Sequence, residues 1–171
     1  MGGNSYQYFK KEVANYLKEE FKDYSKPTAL DIGPGEGIYF KLLSDKFIMD
    51  AIEAYYNNIL EHKLENKYRY VINEDALFVN IEHYELIILG DVLEHFTVRQ
   101  AKSLLERIQD KCDEMLIAIP YKFPQKAIYN NPYEEHKQED LTHEIFMERY
   151  PGFVRIFGNN KYGYYIKNKS K

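Results

Sequence analysis

Short apolar runs alternate along the chain with segments whose apolar residues recur at helical spacing. Five runs predict buried strands, at 28–32, 47–52, 68–72, 85–90 and 115–119. Helical spacing predicts helices at 6–21, 38–43, 55–64 and 98–110. Because strands alternate with helices and most strands are apolar on both faces, the pattern predicts a doubly wound α/β fold with a mostly parallel sheet.

The C-terminal part of the chain has a different pattern. A long polar connection at 121–141 follows the fifth strand. Thr142 has the right position to cap a helix that runs to Arg149. Two short apolar runs, 153–157 and 162–166, are separated by a Gly-Asn-Asn turn. This spacing predicts an antiparallel hairpin at one edge of the sheet.

Length and composition fit a single globular domain over residues 1–171. The 23 basic and 27 acidic residues give a net charge of −4, which argues against a nucleic-acid partner. We expect no membrane span, since no apolar run reaches about 18 residues, and without a signal peptide we expect a cytoplasmic protein. The single cysteine, Cys112, excludes a disulfide framework and a Cys-rich zinc site, and no metal site is expected.

A glycine-rich segment follows the first predicted strand. Gly33, Gly35 and Gly37 lack the Cβ atoms that would keep a ligand away from the backbone, and the next helix begins with unpaired N–H groups. A dinucleotide-binding loop would need its third glycine where Ile38 stands, which argues against a nicotinamide-dependent reductase. Asp31, just before the glycines, would repel a phosphate and suits a positively charged ligand.

Acidic residues also follow the next three strands. Glu53 lies about 20 residues after Asp31, at a strand end, where a carboxylate can accept hydrogen bonds from both hydroxyls of a ribose. Asp75 follows the third strand and can accept a hydrogen bond from the amino group of a base. The fourth strand ends in the segment 89–96, which places a glycine and an acidic residue beside the cleft.

These segments together resemble the class I S-adenosylmethionine-dependent methyltransferases. The match covers nearly the whole chain in the right order, and the residues that carry it are Asp31, Gly33, Gly35, Gly37, Glu53, Asp75, Ala76, Asp91, Glu94 and His95. The resemblance implies a seven-stranded sheet whose last strand lies antiparallel beside the fifth, with helices on both faces. It also implies S-adenosylmethionine as the cofactor.

The same resemblance implies roles for individual residues. Asp31 and the glycine loop would hold the methionine part of the cofactor, and Glu53 would bind the ribose. The adenine would lie against Asp75 and Ala76. Leu89 and Gly90 would pass near the amino-acid end of the methionine.

Three residues are candidates for a catalytic role. The acceptor needs a base only where it keeps its proton near neutral pH, as an amine or a hydroxyl does. His136 lies in the loop after the fifth strand, whereas Asp91 and His95 follow the fourth. The sequence alone leaves the choice among them open.

Two segments remain to cover the cleft, an N-terminal lid at 1–24 and a substrate-side loop at 121–141. Because the fold uses nearly all other residues, we expect a small acceptor for O- or N-methylation, such as a sugar, a sugar nucleotide or another metabolite. Two alternatives stay open: a cofactor-binding module without catalysis, in a regulatory role, and a methyltransferase that acts on RNA or protein.

Overall fold

The computed structural model describes residues 8–128 and 130–168, in which seven strands form one sheet. In chain order the strands are Thr28–Ile32 (β1), Ile48–Ile52 (β2), Val71–Ile72 (β3), Tyr84–Gly90 (β4), Cys112–Pro120 (β5), Val154–Gly158 (β6) and Tyr162–Asn168 (β7). All seven were expected from the apolar runs, and their order along the chain is confirmed.

The described residues contain five α-helices, of which the first precedes β1 and the other four lie between strands. They are Lys10–Glu20 (α1), Ile38–Leu43 (α2), Tyr56–Glu61 (α3), Val98–Ile108 (α4) and His143–Arg149 (α5). The predicted caps are present: Thr97 and Gln100 form a capping box at α4, and the Thr142 side chain accepts a hydrogen bond from the backbone of Ile145 at α5. None of the described helices is long and apolar enough to cross a membrane.

The sheet has the strand order β3-β2-β1-β4-β5-β7-β6. The pairs among β1 to β5 are parallel, and β7 lies antiparallel between β5 and β6. The predicted fold class is therefore confirmed, including the position of the last strand. The strand order reverses between β1 and β4, and in open α/β sheets ligands bind in the crevice at such a reversal.

Apolar residues on the two faces of the sheet form two separate core layers. Along β4, Ile87 and Leu89 face a layer completed by α4 and α5, whereas Leu86 and Ile88 face a layer completed by α1, α2 and α3. All four side chains are fully buried. Helices on both faces explain why the central strands have no polar side.

Several element boundaries differ from the prediction. The helix predicted from residue 6 begins at Lys10, because Phe9 has a φ of 58°, and residues 6 and 7 lie outside the described part of the chain. The third strand is confined to Val71–Ile72, at an edge of the sheet. The fifth strand extends to Cys112–Pro120, since β7 pairs with it from Glu114 to Pro120.

Candidate functional site

A cleft opens at the carboxyl ends of the central strands, where the strand order reverses. It consists of a larger cavity of about 410 Å³ beside β1 and β2, and a smaller cavity of about 150 Å³ beside β4 and β5. The two cavities are continuous, since they share six lining residues: Gly33, Gly35, Asn58, Asp91, His95 and Glu134. The site expected from the sequence therefore lies at the predicted edge of the sheet.

The glycine loop forms the floor between the two cavities. Gly33 and Gly35 have φ values of 66° and 52°, in the left-handed region that favours glycine. A Cβ atom on Gly33 would lie 2.6 Å from Cγ2 of Val92, whereas one on Gly35 would meet no atom within 4 Å. The loop therefore brings its backbone close to the cleft and leaves open space above Gly35.

Glu53 is the buried carboxylate of the larger cavity. Only 5% of its surface is exposed, and its two carboxylate oxygens accept hydrogen bonds from the backbone N–H groups of Tyr55 (2.9 Å) and Gly35 (3.3 Å). Burial raises the pKa of Glu53 above its usual value, and the hydrogen bonds from Tyr55, Asn58 and Gly35 oppose this shift. The carboxylate is thus held at the end of β2, beside the glycine loop.

The segment after β3 forms the far wall of the larger cavity. The Asp75 carboxylate accepts a hydrogen bond from the backbone of Leu77 (2.9 Å), and Ala76 is buried. Arg107 of α4 donates hydrogen bonds of 2.6 Å to the carbonyl oxygens of both Ala76 and Leu77. The helix therefore fixes the position of this wall, and Arg107 is a contributor that the sequence motifs did not indicate.

Three residues expected at the cofactor do not line either cavity. Asp31 is buried and accepts a 2.6 Å hydrogen bond from Tyr68. Burial raises the pKa of Asp31 to about 7, although Tyr68 and Lys10 oppose the shift. Gly37 caps the start of α2, and Leu89 is part of the core. Their roles at the cofactor stay predictions, whereas Gly33, Gly35, Glu53, Asp75, Ala76 and Gly90 all line the cleft.

Asp91 lies between the two cavities in a strained backbone conformation, with a φ of 58°. One carboxylate oxygen accepts a hydrogen bond from the Tyr162 hydroxyl, and the other lies 3.7 Å from Nζ of Lys10. Gly90 precedes it, and a Cβ atom there would collide with the ring of Tyr39. The backbone at the end of β4 is therefore held close to the smaller cavity.

Lys10 is a residue of the cleft that the sequence pattern did not indicate. Its side chain is buried in α1, its Nζ lies 5.4 Å from the centre of the Tyr39 ring, and it lines the smaller cavity. A signal was present in the sequence, because Lys10 precedes Val13 and Ala14 by three and four residues and so lies on the same apolar helix face. A lysine on such a face needs a partner, which Asp91 provides.

The two histidines expected at the acceptor side lie against each other. The ring centres of His95 and His136 are 4.7 Å apart, and both rings line the smaller cavity. Nδ1 of His136 lies 2.6 Å from the carbonyl oxygen of Phe123, and Nδ1 of His95 lies 3.3 Å from that of Glu135. The structure therefore brings together all three catalytic candidates, Asp91, His95 and His136.

The surroundings of both imidazoles favour the neutral form. Burial and the neighbouring His136 lower the pKa of His95 to about 4, although hydrogen bonds with the backbone carbonyl groups of Glu135 and Asp91 oppose this shift. Burial also lowers the pKa of His136, although the Phe123 carbonyl and Asp91 oppose the shift. Each ring therefore presents a lone pair on one nitrogen.

Acidic side chains outnumber basic ones around the cleft. The acidic residues are Glu36, Glu53, Glu74, Asp75, Asp91, Glu94 and Glu134, and the basic lysines are Lys10 and Lys137. Such a surface attracts cations and repels polyanions.

Comparisons with known proteins place the fold. The sequence matches no protein-family model and no curated protein sequence. It is similar in structure to an S-adenosylmethionine-dependent methyltransferase from Clostridium acetobutylicum ATCC 824, with a TM-score of 0.70 and 11% identity over 94% of this chain and 92% of that one. It is also similar to magnesium protoporphyrin IX methyltransferase (ChlM) from Synechocystis PCC 6803 with bound S-adenosylmethionine. The TM-score is 0.58, and the identity is 12% over 98% of this chain and 87% of that one.

A third similar structure is the methyltransferase domain of bacterial CtHen1-CN, with a TM-score of 0.63 and 14% identity over 93% of this chain and 98% of that one. All three cover nearly the whole described sheet. The chain therefore has the class I S-adenosylmethionine-dependent methyltransferase fold that its motifs resemble.

Proposed function

We propose that this protein binds S-adenosylmethionine and transfers its methyl group to a small-molecule acceptor. The observation that carries the proposal is the buried carboxylate of Glu53, at the end of β2 in a cavity of about 410 Å³. A cavity of that size is typical of small-molecule sites. The same cofactor is bound in one of the similar structures, which supports the assignment.

The residues of the larger cavity fit a nucleoside. Glu53 offers carboxylate oxygens to the ribose hydroxyls, and Asp75 offers one to the amino group of a base. Ile32, Ile52 and Val92 give the cavity apolar walls. On binding, the Glu53 carboxylate would exchange the 3.3 Å hydrogen bond that it accepts from the backbone of Gly35 for hydrogen bonds from two ribose hydroxyls. This exchange costs little free energy, so Glu53 is well placed to bind a ribose.

The acidic rim fits the charge of the same ligand. A sulfonium and an ammonium group are both positive, and the cleft surrounds them with carboxylates such as Asp91 and Glu134. When bound, S-adenosylmethionine supplies a methyl group on a positively charged sulfur atom, which needs no further activation. The protein then has to orient the acceptor and exclude water.

The smaller cavity is the acceptor side of this proposal. His136 reaches over it from the 121–141 loop, and its Nδ1 faces the Phe123 carbonyl, so Nε2 keeps a lone pair. That lone pair can accept the proton of an acceptor hydroxyl or amine. Asp91 is already paired with Tyr162 and Lys10, which leaves the two histidines. We assign the contact with the acceptor to His136, because it belongs to the loop that covers the smaller cavity.

Two segments cover the cleft in this proposal. Lys10 of the N-terminal lid lines the smaller cavity, and the 121–141 loop contributes Phe123, Gln125 and His136. Gln138 anchors this loop by donating hydrogen bonds to the carbonyls of Leu93 and Phe96. With about 150 Å³ beneath it, the loop favours a small acceptor, such as a sugar or another metabolite. Residues 1–7 of the predicted lid lie outside the described residues.

Calorimetric titration with S-adenosylmethionine and S-adenosylhomocysteine tests the proposal. We expect micromolar binding to the wild type and to Glu106→Gln, a matched change on the exposed face of α4. Glu53→Gln should bind at least about tenfold more weakly, because a charge-assisted hydrogen bond contributes about 1.5–3 kcal/mol. A wild type that binds neither compound would overturn the proposal.

A further inference from the structure

Three possible metal ligands meet beside the smaller cavity. One ligand atom from each of Glu94, His95 and His136 lies within 4.8 Å of the other two. A tetrahedral ion with bonds of about 2.1 Å needs ligand atoms about 3.4 Å apart, so small side-chain rotations would close this cluster around an ion. The ligands come from two segments, the turn after β4 and the loop after β5.

The Glu94 carboxylate has no partner of its own among the described residues. Its side chain is 99% buried, since its relative exposure is 1%, and neither carboxylate oxygen accepts a hydrogen bond. The nearby ammonium group of Lys10 pairs with Asp91 instead. A buried carboxylate without a donor is costly, and a bound cation would remove that cost.

The two imidazoles are oriented as metal ligands usually are. Nδ1 of His95 faces the carbonyl oxygen of Glu135, and Nδ1 of His136 faces that of Phe123. For His136, the 2.6 Å contact with the carbonyl holds the proton on Nδ1, so Nε2 keeps the lone pair that a metal binds. One ligand atom of each ring and one of Glu94 lie within 4.8 Å of one another, so the three can serve one site.

We propose that Glu94, His95 and His136 bind one divalent transition-metal ion at the acceptor side of the cleft. Two imidazoles and one carboxylate suit ions such as Zn²⁺, Co²⁺ and Mn²⁺. Asp91 is held by Tyr162 and Lys10, so the protein supplies three ligands and leaves the remaining positions of the ion open. An open position is typical of a site that also binds substrate.

The ion would also define the class of acceptor. This part of the inference rests on the proposed methyl transfer, because it assumes that the smaller cavity holds the acceptor. An acceptor with a hydroxyl or carboxylate oxygen would fill an open position of the ion, which would orient that oxygen in the cleft. From the sequence alone no metal site is expected, since His136 is far from Glu94 and His95 along the chain.

Titration of the metal-free protein with Co²⁺ alone tests the site. Bound Co²⁺ is read by its visible absorption and by calorimetry, with no cofactor or acceptor present. We expect one Co²⁺ per chain, and an affinity at least about tenfold weaker in Glu94→Gln and in His136→Ala. His83→Ala is the matched control. His83 is exposed and pairs with Asp113 at the surface, so this variant measures how much Co²⁺ binds to a surface histidine.

The outcomes separate this inference from the proposed function. A wild type that binds no Co²⁺, or variants Glu94→Gln and His136→Ala that bind it like the wild type, would overturn the metal site. If Glu94→Gln does not fold, as judged by circular dichroism, His136→Ala decides the result. Protein that binds S-adenosylmethionine but no metal contradicts only the inference, and protein that binds metal but no S-adenosylmethionine contradicts only the proposed function.

Discussion

The two cavities of the cleft are built in different ways. The larger cavity takes its polar groups from the ends of successive strands, with Gly33 after β1, Glu53 after β2 and Asp75 after β3. The smaller cavity joins distant parts of the chain, with Lys10 from α1, Asp91 from the end of β4 and His136 from the loop after β5. Strand order positions these groups of the larger cavity, although α4 and the 121–141 loop also contribute to its lining, whereas the smaller cavity depends on how a helix and a loop pack over the sheet.

This difference separates two tasks. Strand ends are rigid and lie in a fixed order, which suits a ligand that stays the same. A helix and a loop can change in sequence without changing the sheet, which suits an acceptor that differs between proteins of one fold. Variants in the larger cavity should therefore change cofactor affinity, and variants in the smaller cavity should change turnover.

The largest effect is expected at the smaller cavity. His136→Ala should lower the rate of methyl transfer about 100-fold, which is the lower end of the effect of losing a proton-transfer group. We expect this loss whether the imidazole accepts a proton or binds a metal ion. S-adenosylmethionine affinity should stay within about twofold of wild type. Steady-state kinetics with an active acceptor and calorimetry check the two values. An unchanged rate would show that this loop does not contact the acceptor.

The glycine loop offers a comparison within the larger cavity. Gly33→Ala should lower the free energy of unfolding by about 2 kcal/mol, because its Cβ atom would overlap Val92. Gly35→Ala adds only backbone strain, about 1 kcal/mol, but its Cβ atom would project into the space for the ligand. Urea unfolding and cofactor titration of both variants measure these effects. Equal loss of stability in the two variants would contradict the difference in packing.

A smaller effect is expected for Arg107, which positions the far wall of the larger cavity. Arg107→Met keeps the length of the side chain and removes both hydrogen bonds to the carbonyls of Ala76 and Leu77. Affinity for S-adenosylmethionine should fall about fivefold, in line with one lost hydrogen bond of about 1 kcal/mol. Arg99→Met, an exposed change on the same helix, is the control. An equal loss in both variants would assign the effect to the helix surface.

The smallest effect concerns Asp31 and pH. Burial holds the pKa of Asp31 at about 7 in the folded protein, above the value of about 4 in an unfolded chain. The folded state then binds more protons, so this group lowers stability as pH rises from about 4 to about 7. The side-chain amide introduced by Asp31→Asn would not ionise, and its carbonyl oxygen would still accept the Tyr68 hydrogen bond.

The melting temperature of Asp31→Asn relative to wild type should therefore increase between pH 5 and pH 8. Acidic groups that do not interact with Asp31 titrate equally in both proteins, so the difference reports Asp31 together with Glu53, whose charge raises the pKa of Asp31. Differential scanning calorimetry at four pH values measures it. A difference that does not change with pH would show that Asp31 is ionised throughout this range.

The sequence predicted which residues follow the strand ends at the cleft, and it did not predict the contacts between elements that hold them. Gly33, Glu53 and Asp75 follow apolar runs, and parallel strands place their ends at one edge of the sheet. Arg107 and Lys10 were missed because their partners, the carbonyl of Ala76 and the carboxylate of Asp91, come from other elements. Such contacts depend on how helices pack, which apolar spacing does not specify.

One titration series tests the division of the cleft most directly. S-adenosylmethionine is titrated calorimetrically into wild type, Glu53→Gln and His136→Ala under the same conditions. We predict that Glu53→Gln loses at least about tenfold in affinity and that His136→Ala keeps the wild-type affinity. Equal affinity of Glu53→Gln and wild type, or a larger loss in His136→Ala, would contradict the assignment of the larger cavity to the cofactor.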